Sequence, residues 1–159
     1  MKTSRPVLLA VAVISFALLG FALYLQHVEN MLPCPLCIIQ RYAFAAVGLI
    51  CLVFAILPRG ATKTGAYLGT LAALGGAGVA GWHLWVKAHP TVSCGIDPLE
   101  TSLNKIPTAE LLPFVFKADG LCTTEYAPIL GLSIPQWSLV WFGIFAIVLI
   151  WAALRQQSR

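Results

Sequence analysis

A chain of 159 residues is long enough for one domain, but 59% hydrophobic residues against 10% charged ones is not the balance of a water-soluble fold. The net charge of +4 is small, and no basic helix or aromatic base-stacking motif accompanies it, which excludes a nucleic-acid binder. The expected solvent is lipid.

In chain order, four apolar runs stand out at 7–25, 42–57, 66–86 and 135–154, none containing Asp, Glu, Lys or Arg. About 20 helical residues cross a hydrocarbon core of about 30 Å, so each run predicts a membrane-spanning helix. The second reaches full length when Ile38 to Arg41 form its first turn, giving a span of 38–57. The first run follows Lys2 and Arg5 as a secretory signal does. It continues to Leu25 and exits through Gln26 and His27, longer than a signal core, and is expected to stay as an anchor. The third is rich in glycine, and Gly65/Gly69 and Ala77/Gly81 place small residues at i, i+4 for close helix packing. The expected fold is an all-α integral membrane protein, a single four-helix transmembrane bundle over 1–159 with exported loops at 26–37 and 87–134.

Basic residues resist translocation. The N-terminus, the 57–66 turn and the C-terminal tail carry Lys2, Arg5, Arg59, Lys63, Arg155 and Arg159 and no acid. All six acidic residues lie on the other side, so both termini are expected in the cytoplasm. In the longer exported loop, the apolar cluster Leu111 to Phe116 is too short to span. It reads either as a membrane-surface segment or as a buried loop contact.

This topology sorts the five cysteines. Cys51 falls inside the second span and reads as a small apolar residue. Cys34, Cys37, Cys94 and Cys122 are exported. A Cys94–Cys122 bridge would close a loop of roughly thirty residues, worth about 3–4 kcal/mol in the chain-entropy model, and so fits a structural staple. A Cys34–Cys37 bridge encloses only Pro35 and Leu36 and constrains little, so reversible dithiol–disulfide chemistry is its better use. Four cysteines allow three pairings, and sequence leaves them open.

Pro35 suits the first turn of a helix, so Cys-Pro-Leu-Cys is expected to open the second span, where backbone amides favour a thiolate. Arg41 follows Cys37 at i, i+4. It reads either as a charge held beside the sulfur or as an interfacial anchor reaching for water. Zinc is not expected, because one tight pair plus two distant cysteines lacks a double-knuckle spacing. Haem attachment is not expected either, since Ile38 follows Cys37 where a histidine is needed.

Taken together, four spans, Cys34-Pro-Leu-Cys37 with Arg41, a cysteine pair before the last span, and Gly-Leu-Ser-Ile-Pro-Gln-Trp at 131–137 resemble the disulfide bond formation protein B (DsbB) family over nearly the whole chain. The resemblance implies an inner-membrane thiol oxidase with catalytic Cys34, Cys37, Cys94 and Cys122. A periplasmic DsbA-like dithiol protein is its implied substrate, attacking at Cys94; Cys122 then attacks Cys34, and Cys37 passes electrons to ubiquinone or menaquinone. Arg41 and His83 match the family arginine and histidine near the quinone, although a helix-end histidine is also an ordinary interfacial residue. Trp137 reads as an interface anchor within the signature. Two rivals are a membrane scaffold with static loop disulfides and an enzyme resembling vitamin K epoxide reductase, in which the cysteine order is reversed.

Overall fold

The computed structural model describes residues 4–89, 91, 101–122 and 124–155. Four long helices form a bundle: α1 (Arg5–His27), α2 (Pro35–Ile56), α3 (Thr62–Ala88), and, after a helical stretch at 101–104 and the short loop helices α4 (Pro107–Leu111) and α5 (Pro113–Phe116), α6 (Ile134–Arg155). A single 3-10 turn, Arg59–Ala61, joins α2 to α3. Among the described residues there is no β-strand, only an isolated bridge between Ile129 and Leu132.

Three of these helices, α1, α2 and α6, are long and apolar enough to cross a membrane. The 27-residue α3 is longer still, but its glycines, Thr70 and His83 dilute its apolar character. It lies between α2 and α6 and packs along both, while α1 packs on α2. Outward-facing Leu, Ile, Val and aromatic side chains such as Ile56, Leu71 and Ile147 are well exposed, the surface expected when lipid is the solvent. Each long helix outlasts the apolar run it contains at one or both ends, because backbone hydrogen bonding does not stop where apolar side chains do.

Small residues on α3 decide its packing. The buried stripe runs Gly65, Gly69, Ala73, Gly76, Ala80, His83 and Val86. Gly65 faces Phe54, Gly69 faces Leu149 and Cys51, and Gly76 faces the Phe142 ring. Of the two expected small pairs, Gly65/Gly69 makes the contact; Gly81 meets nothing, because the helical stripe has rotated to Ala80 by that level.

A Cβ at Gly76 would sit 2.5 Å from Phe142, a fully buried ring stacked on Phe44 at 4.1 Å. Gly76→Ala should therefore cost about 1–3 kcal/mol, as overpacking does. Gly78, which faces open space, should tolerate alanine without loss. Thermal unfolding of the two variants in detergent checks the contrast.

The long loop folds back over the ends of α1 and α2. Val115 and Phe116 are buried with Ile38 and Ala109, and Phe116 stacks on Tyr42 at 4.3 Å. Tyr42 Oη pairs with Thr108 Oγ1 at 2.6 Å, and His27 Nε2 pairs with the Phe114 carbonyl at 3.0 Å. Asn104 clasps Ala118 through its carbonyl and amide, at 3.1 and 2.9 Å. The apolar cluster at 111–116 is thus divided: Val115 and Phe116 make the buried contact, while Leu111, Leu112 and Phe114 remain exposed.

The start of α6 follows from its sequence. Leu130 and Gly131 both have positive φ (52° and 83°), and Ile129 and Leu132 exchange two backbone hydrogen bonds around them, the geometry of a two-residue type I′ turn. Ser133 then precedes the helix, and its N–H donates to Gln136 Oε1 at 2.7 Å, one half of a capping box. Trp137 Nε1 donates to the Ile129 carbonyl at 2.8 Å, so the indole ties turn to helix as well as standing at the helix end.

Candidate active site

Cys34 is the N-cap of α2 and Pro35 its first residue, as Cys-Pro-Leu-Cys predicts. An extended Cys34 backbone turns its sulfur toward the helix, where it accepts from the Cys37 N–H at 3.3 Å. One turn therefore holds both sulfurs on the same side, 2.8 Å apart, and both are free thiols. Closing to a bond of about 2.05 Å needs less than about 1 Å of movement. Cys34 donates to Cys37; that hydrogen bond, with burial, pushes the Cys34 thiol well above the usual thiol range.

His83 completes one side. It is buried in the α3 stripe one turn before Val86, with Nε2 3.7 Å from Cys34 Sγ and Nδ1 3.1 Å from Gln40 Nε2. With the Gln40 amide donating, Nδ1 is an acceptor and Nε2 carries the proton. A backbone hydrogen bond to Cys122 also reaches the ring.

Arg41 does not reach for water. It is 7% exposed, with Nη1 donating to Gln26 Oε1 at 2.5 Å and to the Val115 carbonyl at 2.7 Å, and Nη2 donating to the Ala22 carbonyl at 3.3 Å. Among the described residues three of its five N–H groups have partners, which leaves two for a ligand. The same contacts pin α1, α2 and the folded-back loop together around one guanidinium. Position in the sequence pointed to Arg41; Gln26, Gln40 and the Val115 carbonyl carried no signal, because their partners are 15 to 74 residues away.

Cys122 is engaged in a disulfide and packs in one buried cluster with Cys34, Leu36 and Val86. Its delivery there has a local cause. Asp119 and Gly120 N–H groups both donate to the Pro33 carbonyl, at 3.1 and 3.0 Å, and Tyr126 Oη donates to the Leu32 carbonyl at 3.2 Å. Gly120 lies so close that a Cβ there would run into the Leu32 carbonyl oxygen. Cys94 lies outside the described residues.

Cys34, Cys37, Cys122, His83 and Arg41 line a single cavity of about 340 Å³, walled by α1 and α6 residues including Leu18 and Trp141. Cys51 is apart from it, buried against Gly69 in the bundle core.

The family model for "Disulfide bond formation protein DsbB" matches residues 4–152. The chain belongs to the DsbB family. It is 70% identical to Disulfide bond formation protein B of Herminiimonas arsenicoxydans over 99% of this chain and 100% of that one. Identity is 50% to the protein of the same name from Ralstonia nicotianae, over 98% of both chains. Disulfide bond formation protein B 1 of Pseudomonas syringae is 40% identical over the whole of this chain and 95% of its own. The chain is therefore a multi-pass membrane protein of disulfide bond formation, an oxidoreductase. In DsbB terms the cavity joins two features that sequence lists separately, the Cys34–Cys37 turn and Cys122.

Gly120→Val should slow exchange between Cys122 and Cys34 by about 10-fold, a barrier increase of about 1.4 kcal/mol, by lifting the segment off Leu32 and Pro33. Rapid acid quenching with thiol alkylation measures that step. Oxidation of the Cys34–Cys37 pair itself should keep its rate.

Proposed function

We propose that this DsbB-family chain is a bacterial inner-membrane thiol oxidase that takes two electrons from a periplasmic DsbA-like dithiol protein and delivers them to a membrane quinone. The carrying observation is the shared cavity of Cys34, Cys37, Cys122, Arg41 and His83.

In this reading Cys94 and Cys122 form the exported pair. The partner's thiolate attacks Cys94, Cys122 leaves as a thiolate, and the partner's second thiol resolves the mixed disulfide, so the partner is oxidised as the pair is reduced. Cys122 then attacks Cys34 of an oxidised Cys34–Cys37 pair and Cys37 leaves. Cys94 resolves that bond, regenerating its own disulfide and leaving Cys34 and Cys37 as thiols. Free Cys34 and Cys37 beside a bridged Cys122 match the stage at which the membrane pair holds the electrons.

The residues fit a quinone. The cavity is of the size that encloses a small ring, its walls are largely apolar, and His83 with Gln40 behind it stands beside the sulfurs. A bound quinone supplies a two-electron, two-proton acceptor. Arg41 would offer its remaining N–H groups to a quinone oxygen as it gained negative charge, Cys37 lines the cavity that would hold the ring, and His83 holds a proton at Nε2 within reach of the Cys34 sulfur. Helices α1 and α6 pack sparsely on each other, which supports a lateral opening toward the lipid for an apolar tail.

The spans are placed at about 7–25, 38–57, 66–86 and 135–154. Charge sidedness supports cytoplasmic termini, with the loops at 26–37 and 87–134 in the periplasm. The N-terminal end is consolidated by Arg5 Nη2 donating to the Leu57 carbonyl at 2.6 Å and Ser4 Oγ donating to the Ala152 carbonyl at 3.2 Å.

The test is a steady-state assay. Purified protein in detergent, given a short-chain ubiquinone or menaquinone and a reduced DsbA-like protein, should consume one quinone per dithiol oxidised. Consumption without the dithiol protein, or none with it, overturns the proposal.

A further inference from the structure

We propose that the reduced Cys34–Cys37 pair and His83 together bind one thiophilic divalent cation of the zinc and cadmium class, and that this cation blocks the oxidation of the pair. The binding site stands on geometry alone, and the block rests on the oxidase function proposed above.

Cys34 Sγ, Cys37 Sγ and a ring nitrogen of His83 all lie within 4.8 Å of one another. A tetrahedral ion with metal–sulfur bonds of about 2.3 Å and a metal–nitrogen bond of about 2.0–2.1 Å sets its ligand atoms about 3.5–3.8 Å apart. Cys34 Sγ and His83 Nε2, at 3.7 Å, already have that separation. The sulfurs, at 2.8 Å, must part by about 1 Å, which rotation of the less buried Cys37 side chain supplies. The spacing of the four exported cysteines disfavoured a zinc knuckle pair, but this site takes its third ligand from a helix 49 residues away, which no cysteine count reveals.

The surroundings suit a ligated metal. The Cys37 N–H already donates to the Cys34 sulfur and can keep doing so when that sulfur is a metal-bound thiolate. Gln40 holds the other histidine nitrogen at 3.1 Å; turning its amide so that the carbonyl accepts from Nδ1–H leaves the Nε2 lone pair for the metal. Arg41 and Lys87 also line the cavity and disfavour a free cation there. Two thiolates and a neutral imidazole around a divalent ion make a complex with no net charge, so burial beside those cations is tolerated. With three protein ligands, the fourth position opens toward the cavity, where a water completes the set.

No electrons move on binding. Two thiols lose their protons to solvent, two metal–sulfur bonds form, and the sulfurs so held cannot join in a disulfide until the metal leaves. Only the reduced pair offers these ligands.

The experiment uses full-length protein carrying Cys94→Ser and Cys122→Ser, so that the exported pair contributes no thiolate, reduced anaerobically in quinone-free detergent. Cadmium titration should give thiolate-to-metal charge-transfer absorption saturating at one ion per protein with release of two protons. The signal should vanish in Cys37→Ser and in the oxidised pair, weaken at least 10-fold in His83→Ala, and persist in Cys51→Ala. Zinc should inhibit wild-type turnover, reversibly with EDTA. No saturable binding, or binding undiminished in Cys37→Ser or His83→Ala, overturns the site. Cadmium binding without any turnover in EDTA leaves the site standing and sinks the oxidase function; turnover in EDTA without cadmium binding does the reverse.

Discussion

Cys37→Ser should oxidise one equivalent of reduced DsbA-like protein and then stop, with quinone consumption lowered at least about 1,000-fold, a barrier increase of about 4 kcal/mol. The burst arises because the exported pair still holds its disulfide and can exchange it once. Turnover ends there because the reduced exported pair has no Cys34–Cys37 disulfide to attack, and a serine oxygen cannot take the place of the second sulfur. Cys34→Ser should behave in the same way. Both substitutions keep the size of the side chain, so thermal unfolding should change little. Quench-flow measurement of partner thiols beside quinone absorbance reads burst and steady rate together. Sustained quinone consumption by either variant would place the electron handover elsewhere.

Arg41→Met should lower the rate of quinone reduction about 100-fold, the scale of losing one preorganised donor to a developing oxyanion. It should also lower stability. Gln26 Oε1 and the Val115 carbonyl lose their donor, at about 1–3 kcal/mol for an acceptor left dry in a buried setting, while the Ala22 carbonyl keeps its helical one. Arg41→Lys keeps a charge but not the fork that reaches several acceptors at once, so it should restore part of the rate while the unfolding temperature stays low. Separate KM and kcat values for quinone, with unfolding temperature, distinguish the two roles. A destabilised Arg41→Met with unchanged quinone kinetics would make the guanidinium a structural clasp only.

The sequence-legible part of this protein is what repeats along the chain or sits close in it. Apolar runs mark the long helices, Pro35 marks the start of α2, and Cys34, Cys37 and Arg41 fall within two turns of one helix. His83 was visible only through family likeness, since nothing in its neighbourhood says that the buried stripe of α3 passes beside Cys34. Glycine content announced close packing, yet which glycines make contact depends on rotation of α3 against Phe54, Leu149 and Phe142. Least legible was the clasp around the site. Gln26 at the end of α1 and Val115 in the folded-back loop meet only at Arg41, and Gly120 matters because Leu32 passes beneath it. Such contacts are long-range and involve backbone carbonyls, whose positions no residue type encodes.

The most direct measurement is a single turnover. Protein carrying Cys94→Ser and Cys122→Ser, reduced anaerobically and mixed with one equivalent of short-chain quinone, should lose two thiols and one quinone per chain. Quinone that stays oxidised while both thiols remain, or quinone lost just as well after Cys37→Ser is added, contradicts electron transfer from the Cys34–Cys37 pair.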